Sequence, residues 1–276
     1  MEQVLVKIYN IFPKNIRQKI GRSKFFTFLR NFVLKKGKVY RESYVFIKRH
    51  YGTYKVRFKF YASIKTAAKA KKSGIENTII NNSIYILNKF KKHDNDCIVL
   101  DIGSNFGYLS LVWSQTISKN NGKIIAFEPN IEVIKSLEKS IFDNNLKSII
   151  STENLAVGNK TEVIKLYLNN TTSNVIESNS NQNHIQIDMI KIDSYFKDKL
   201  KKCDLVKIDV DGIEFDILNG SRELIKEFHP IFIVETNNDN RIIEFFIQQN
   251  YKILNMKLKP IIEGELPLNV FCIPKL

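Results

Sequence analysis

Two periodicities alternate along this chain. Short, nearly continuous apolar runs bounded by polar residues recur at Cys97-Ile98-Val99-Leu100, Lys123-Ile124-Ile125-Ala126-Phe127, Leu205-Val206-Lys207-Ile208 and Ile231-Phe232-Ile233-Val234, and they predict interior parallel strands. Between them apolar residues fall at helical spacing: Leu109, Val112, Trp113 and Ile117, then Ile131, Ile134, Leu137 and Ile141, then Ile213 through Ile225, then Asn240 to Gln249. Strand, helix and strand in this order predict an α/β fold with a doubly wound, mostly parallel sheet. Ile150 to Val157 reads as its third strand. Tyr251 to Met256 and Asn269 to Ile273 close it. Pro260, Gly264 and Pro267 disfavour a crossover helix between that last pair, so an antiparallel edge hairpin is expected. Glu162 to Leu168 and Ile185 to Ile192 read as strands flanking a Ser/Asn/Thr-rich run from Asn169 to Asn183, placed as a lid over an acceptor.

Ahead of this unit the pattern changes. Met1 to about Lys36 reads as two basic amphipathic helices broken around Pro13 and Gly21. Lys55 to Tyr61 alternates as a half-exposed edge strand, and Ala62 to Lys72 and Asn77 to Phe90 read as helices. Charge follows the same division. Through Ile75 the chain holds 20 Lys+Arg and 2 Asp+Glu, and the remainder holds 23 and 26, so the overall +15 belongs to the amino-terminal part. The expected organisation is therefore a basic helical and strand extension over 1–75 and a catalytic-type domain over 76–276. The basic helices are too interrupted by charge to span a membrane; they either pack on the domain or touch an anionic membrane face peripherally. Lysines alternating with aromatics in the 55–61 strand fall on opposite faces, which argues against nucleic acid as a partner. Cys97, Cys203 and Cys272 lack metal-ligand spacing and lie in apolar segments, as expected of buried thiols in a reducing, cytoplasmic compartment.

The chemistry concentrates where strands end. Val99-Leu100-Asp101-Ile102-Gly103-Ser104-Asn105-Phe106-Gly107 is a strand that breaks at a glycine and restarts as a helix, so its backbone approaches a ligand at the carboxyl edge of the sheet. The spacing is neither G-x-G-x-x-G nor G-x-x-x-x-G-K-[ST], so no pyrophosphate or triphosphate cradle is present. The next strand ends at Glu128-Pro129-Asn130, where one carboxylate suits a ribose diol or simply faces water in a turn. A ribose without a pyrophosphate implies a nucleoside-like cofactor. Asp209, Asp211 and Glu235 end the fourth and fifth strands at the same edge, and His184 closes the polar run; each is a candidate base. Glu214, in a first helical turn, reads as favouring the helix dipole.

D-I-G-S-N-F-G, then A-F-E-P-N, then K-I-D-V-D-G-I-E-F-D-I-L-N-G-S and P-I-F-I-V-E resemble, in order and spacing, the FkbM family of S-adenosylmethionine-dependent methyltransferases from Cys97 to about Thr236. The family often has Ala at Ser104 and Glu at Asp211. The resemblance implies a class I methyltransferase Rossmann-like sheet, with Asp101, Gly103, Ser104, Asn105, Gly107, Glu128, Pro129, Asn154, Ala156 and Asp209 around S-adenosylmethionine. It also implies oxygen methylation of a sugar, glycan or hydroxylated natural product. A base-clamping Asp/Asn-Pro-Pro-aromatic block is absent after the fourth strand, where Asp209-Val210-Asp211-Gly212 stands. An RNA methyltransferase and a noncatalytic membrane-surface protein retaining the fold are the competing readings. Mg²⁺ held by the edge carboxylates is an alternative, less favoured way to acidify an acceptor hydroxyl.

Overall fold

The computed structural model describes residues 9, 34–36, 39–91, 94–169, 172–174, 184–262 and 264–275. The two basic helices and most of the polar run at 169–183 lie outside the described residues. Two short strands, β1 (Lys35–Lys36) and β2 (Val39–Tyr40), pair with each other and lead into a long antiparallel hairpin of β3 (Glu42–Tyr51) and β4 (Tyr54–Ser63). Helices Ile64–Ser73 and Asn77–Phe90 follow. The main sheet contains β5 (Ile98–Ile102), β6 (Lys123–Phe127), β7 (Ile150–Glu153), β12 (Leu205–Ile208), β13 (Ile231–Glu235), β14 (Tyr251–Leu254) and β15 (Asn269–Pro274). A second sheet contains β8 (Ala156–Gly158), β9 (Glu162–Asn169), β10 (Thr172–Asn174) and β11 (His184–Lys191).

The seven-stranded sheet runs β14-β15-β13-β12-β5-β6-β7. Its β5, β6, β7, β12 and β13 pair in parallel, and β15 enters antiparallel between β13 and β14, as the broken 260–267 connection implied. This is the class I methyltransferase arrangement. Strand order reverses beside β5, so β5, β6 and β12 carry their carboxyl ends to one crevice. The interior strands are apolar on both faces because helices cover both. On one face Trp113 donates to Ser83 Oγ at 3.0 Å, so the polar atom of the largest buried side chain is satisfied.

Three local expectations are corrected. The third strand divides: residues 150–153 pair with β6, but from Ala156 the chain pairs with β11 in the second sheet. Asn154 fixes the departure, since its side-chain amide donates to the carbonyls of Glu128 (3.0 Å) and Pro129 (2.9 Å). The first sheet-covering helix stops at Trp113, because Ser114 and Thr116 hydroxyls donate to Leu111 and Val112 carbonyls and compete with the ladder; Ile117 stays buried on the turns that follow. The helix after β12 breaks into Glu214–Asn219 and Arg222–Phe228. At the break a Cβ on Gly220 would lie 2.3 Å from the Gly158 carbonyl oxygen, while the Gly220 carbonyl accepts from Asp193 N–H and Asp193 Oδ1 accepts from Leu224 N–H.

The alternating 55–61 segment buries Val56, Phe58 and Phe60 and turns Lys55 and Arg57 outward. Its outer edge is not bare. Lys59 N–H donates to Asn144 Oδ1 and Tyr61 N–H to Ser140 Oγ, while Asn144 Nδ2 donates to the Lys59 carbonyl, so the helix Ile131–Asp143 and its end occupy the unpaired backbone. Phe58 and Phe60 stack edge-on against Tyr108, joining the hairpin to the helix that follows the β5 turn. Among the described residues no helix is long and apolar enough to cross a membrane.

Phe58→Ala is expected to remove about 3–5 kcal/mol of stability while leaving a single cooperative transition. Urea unfolding followed by tyrosine and tryptophan signals checks this; separate transitions would show that the hairpin folds apart from the sheet.

Candidate active site

A cleft of about 380 Å³ opens over the carboxyl ends of β5, β6 and β12. Its floor begins where β5 ends. Gly103 takes a positive φ of 74°, and a Cβ there would stand 1.9 Å from the Asp209 carbonyl oxygen, so only glycine lets the β5 and β12 exits run so close. Gly103 and Ser104 N–H groups both donate to the Phe127 carbonyl, tying the bend to the end of β6. Asn105, also left-handed at φ 51°, donates its N–H to Glu128 Oε2 at 3.0 Å. Glu128 Oε1 accepts from Asn130 N–H at 2.8 Å. Each oxygen of this buried carboxylate thus has one N–H and one lone pair to spare beside the cleft it lines. Burial pushes the Glu128 carboxyl up to about 7, against the pull of those two N–H groups.

Beneath the bend lies a buried charge cluster. Lys207, the one charged residue within β12, pairs in register with Asp101 of β5. Its ammonium donates to the Gly103 carbonyl at 2.9 Å and lies 3.7 Å from Asp101 and 3.3 Å from Asp209. Asp101 Oδ2 accepts from Ser110 at 2.5 Å, whereas Asp101 Oδ1 has no hydrogen-bond donor, and neither does the buried Ser104 Oγ in the cleft wall. Lys207 holds the Asp209 carboxyl below the usual carboxylate range, and a hydrogen bond from Glu235 helps. Glu235 is displaced the other way, to about 8, by burial and by Asp209, so at neutral pH it keeps the proton it shares with Asp209.

Asp211 follows on the turn after β12, left-handed at φ 62° and exposed in the cleft. Glu214 braces that turn: its buried carboxylate accepts from Val210 and Gly212 N–H groups and from Asn237 Nδ2. Burial and the neighbouring Asp209 raise the Asp211 carboxyl, with Lys207 opposing.

Compared with known protein families, residues 101–253 match the one described as the Methyltransferase FkbM domain, more than half of the chain. The chain belongs to this methyltransferase family. No curated protein matches it. Methyltransferase FkbM from Methylobacillus flagellatus KT is similar at 14% identity and a TM-score of 0.44, over 76% of this chain and 54% of its own length. The present chain thus spans about half of that protein. Precorrin-6y C5,15-methyltransferase from Geobacter metallireducens GS-15 is similar at 13% identity and a TM-score of 0.42, over 73% of this chain and 89% of its own. A SAM-dependent O-methyltransferase from Thermotoga maritima is similar at 11% identity and a TM-score of 0.42, over 83% of this chain and 77% of its own.

In this FkbM-family chain the cleft brings together Asp101, Gly103, Ser104, Asn105, Glu128, Pro129, Ala156, Asp209 and Asp211. Glu235 reaches it through Asp209. Gly107 sits behind it as a left-handed helix cap against Leu137. Asn154 spends its amide on the Glu128-Pro129 turn, and His184 stands exposed on β11 with its ring 5.8 Å from Tyr167; neither lines the cleft. Among the described residues no group of His, Cys, Asp and Glu is arranged to hold a metal ion. Sequence reading passed over Lys207, Glu76 and Asn237. Lys207 had a signal, a lone lysine in an apolar strand two residues before an aspartate, which needs a buried partner.

Lys207→Met is expected to cost about 3–5 kcal/mol, because it leaves Asp101 buried without its cation. Adding Asp101→Asn should recover a substantial part of the loss. Denaturant titration of both variants checks this; additive losses would mean the pair is not coupled.

Proposed function

We propose that the chain transfers a methyl group from S-adenosylmethionine to a hydroxyl of a sugar, a glycan or a hydroxylated natural product. The carrying observation is the buried Glu128 carboxylate beside the cleft, with one free lone pair on each oxygen, next to the donor-less Ser104 Oγ. A ribose diol supplies two hydroxyl donors, and a polar ligand atom answers Ser104. Both unsatisfied features therefore fit a nucleoside held over the glycine bend. When bound, the sulfonium supplies an electrophilic methyl carbon. Ala156 and Leu155 offer an apolar wall for the base, and Pro129 stiffens the turn after Glu128.

The acceptor hydroxyl must lose its proton as it is methylated. Asp209 is poorly suited to take it, being ion-paired to Lys207 and hydrogen-bonded to Glu235. Asp211 is better suited. It faces the cleft, makes no hydrogen bond or ion pair among the described residues, and its raised carboxyl is a stronger base than an ordinary aspartate. Glu235 and Glu214 then act as supports, one holding Asp209 and the other the turn that presents Asp211. The three buried cysteines fit a cytoplasmic setting for this reading.

Two measurements test the proposal. The first is calorimetric titration with S-adenosylhomocysteine across pH. The diol is best accepted by ionised Glu128, so affinity should fall as pH drops from 8 to 6 through the folded-state value of about 7. The ligand-free protein should move oppositely: with an unfolded value near 4.5, this carboxyl adds stability below that pH and loses it as pH rises through about 7. Glu128→Gln should weaken binding and flatten both trends; unchanged affinity would remove the ribose assignment. The second is a mass-spectrometric screen for a gain of one methyl on candidate glycans, repeated with Asp211→Asn. That variant is expected to lose about 10²–10⁴-fold in kcat while S-adenosylhomocysteine affinity stays within about twofold.

A further inference from the structure

The cleft has a second wall, built by the basic amino-terminal part of the chain. Helix Ile64–Ser73 contributes Lys65 and Lys69, and the turn into helix Asn77–Phe90 contributes Glu76. Glu76 is left-handed, with φ 48° and ψ 40°, in the position that would cap the helix, yet its side chain makes no capping bond. A glutamate in that conformation costs about 1 kcal/mol that glycine would avoid, a cost that tends to persist where a side chain has a task. Among the described residues neither the Glu76 carboxylate nor the Lys69 ammonium has a hydrogen bond or ion pair.

The charges lining the cleft sort by whether they are already engaged. Of three lysines, Lys207 is occupied by Gly103, Asp101 and Asp209, which leaves Lys65 and Lys69 for an anion. Among the carboxylates, Asp101 and Asp209 are held by Lys207 and Glu128 by two backbone N–H groups; of the two left unengaged, Asp211 sits on the turn after β12 and Glu76 stands on the same wall as Lys65 and Lys69, which makes Glu76 the one to pair with them around a ligand. Glu76 is solvent-exposed along the cleft lining, yet the walls around it raise its carboxyl; Lys207 opposes this, Asp209 and Asp101 add to it, and Lys69 is near enough to lower it slightly. A free acid and a free base on one wall of the cleft match a zwitterion.

We propose that Lys69 and Glu76 bind an α-amino acid head group, Lys69 taking the carboxylate and Glu76 the ammonium. The inference rests on the S-adenosylmethionine reading above and assigns the methionyl end of that ligand to the amino-terminal wall. The donor-less Ser104 Oγ, which the nucleoside reading already uses, belongs to the same cleft lining.

The test compares two thioether nucleosides by isothermal titration calorimetry on the full chain. S-adenosylhomocysteine carries the amino acid, and 5′-methylthioadenosine lacks it. Wild type should prefer the first. Lys69→Met and Glu76→Gln should each weaken S-adenosylhomocysteine about tenfold or more, as loss of a charge-assisted hydrogen bond does, and leave 5′-methylthioadenosine within about twofold. Glu76→Gly should weaken the same ligand while raising the unfolding midpoint by about 2–4 °C, whereas a purely structural glutamate would lower it. Equal weakening of both nucleosides, no weakening of either, or no wild-type preference overturns the proposal with the nucleoside site intact. If wild type binds neither compound, the S-adenosylmethionine reading falls as well.

Discussion

A single ammonium holds the catalytic end of the sheet together. Lys207 is buried between two carboxylates on adjacent parallel strands and also donates to the carbonyl of the glycine at which β5 turns. Taking a lysine out of water costs several kcal/mol, and here two anions and a carbonyl oxygen offset it. Because those partners come from the β5 strand, the β5 exit and the β12 exit, the register of the central strand pair and the shape of the cleft floor are one constraint. A slip of either strand would bury an unpaired charge.

From that fixed point the cleft's chemistry follows by electrostatic division. Lys207 keeps Asp209 ionised, and an ionised Asp209 in turn helps Glu235 keep its proton to about pH 8. Two carboxyls at one edge therefore share a single negative charge. Asp211, one turn further, feels the same field but makes no hydrogen bond or ion pair among the described residues, so the network leaves one carboxylate of the cleft unsatisfied. Left-handed backbone occurs at the cleft as well as at turns away from it. Glu76, Asn105 and Asp211 are non-glycine residues in left-handed conformation, and all line the cleft. Asn105 spends its N–H on Glu128 and its Oδ1 on Phe106, whereas Glu76 and Asp211 keep bare carboxylates.

The main sheet was legible in the sequence because its central strands are buried on both faces and read as nearly continuous apolar runs; β6 begins and ends where its run does, and β13 adds only Glu235 to its own. The antiparallel β15 was legible from the prolines and glycine ahead of it. What failed depended on contacts far along the chain. Nothing between Ile150 and Val157 announces that Asn154 will grip the Glu128-Pro129 turn and send the next residues into a second sheet. Gly220 lies inside the run from Ile213 to Ile225 that reads as one helix, and the break there depends on the Gly158 carbonyl that comes against it. The site showed the same pattern. Residues on the turns after β5, β6 and β12 were found because strand ends face the crevice, but His184, proposed as a base at the end of the polar run, stands exposed on β11 outside the lining. Glu76 was missed because it lies in the amino-terminal part of the fold, away from every strand end.

That omission bears on what the amino-terminal part is for. The reading of a contact with an anionic surface belongs to the basic helices over 1–36, which lie outside the described residues. The hairpin that follows them buries Val45, Ile47, Val56, Phe58 and Phe60 in the same apolar cluster as Val99, Val112 and Trp113 of the sheet and its covering helix. Its edge is sealed by Ser140 and Asn144, and the helix it leads into supplies one side of the cleft. A segment so embedded cannot leave without opening the ligand's wall. The sheet supplies rigid carboxylates and a glycine bend, and the amino-terminal wall supplies the lysines that face them. Only the two together enclose a space in which positive and negative groups are both available to a ligand.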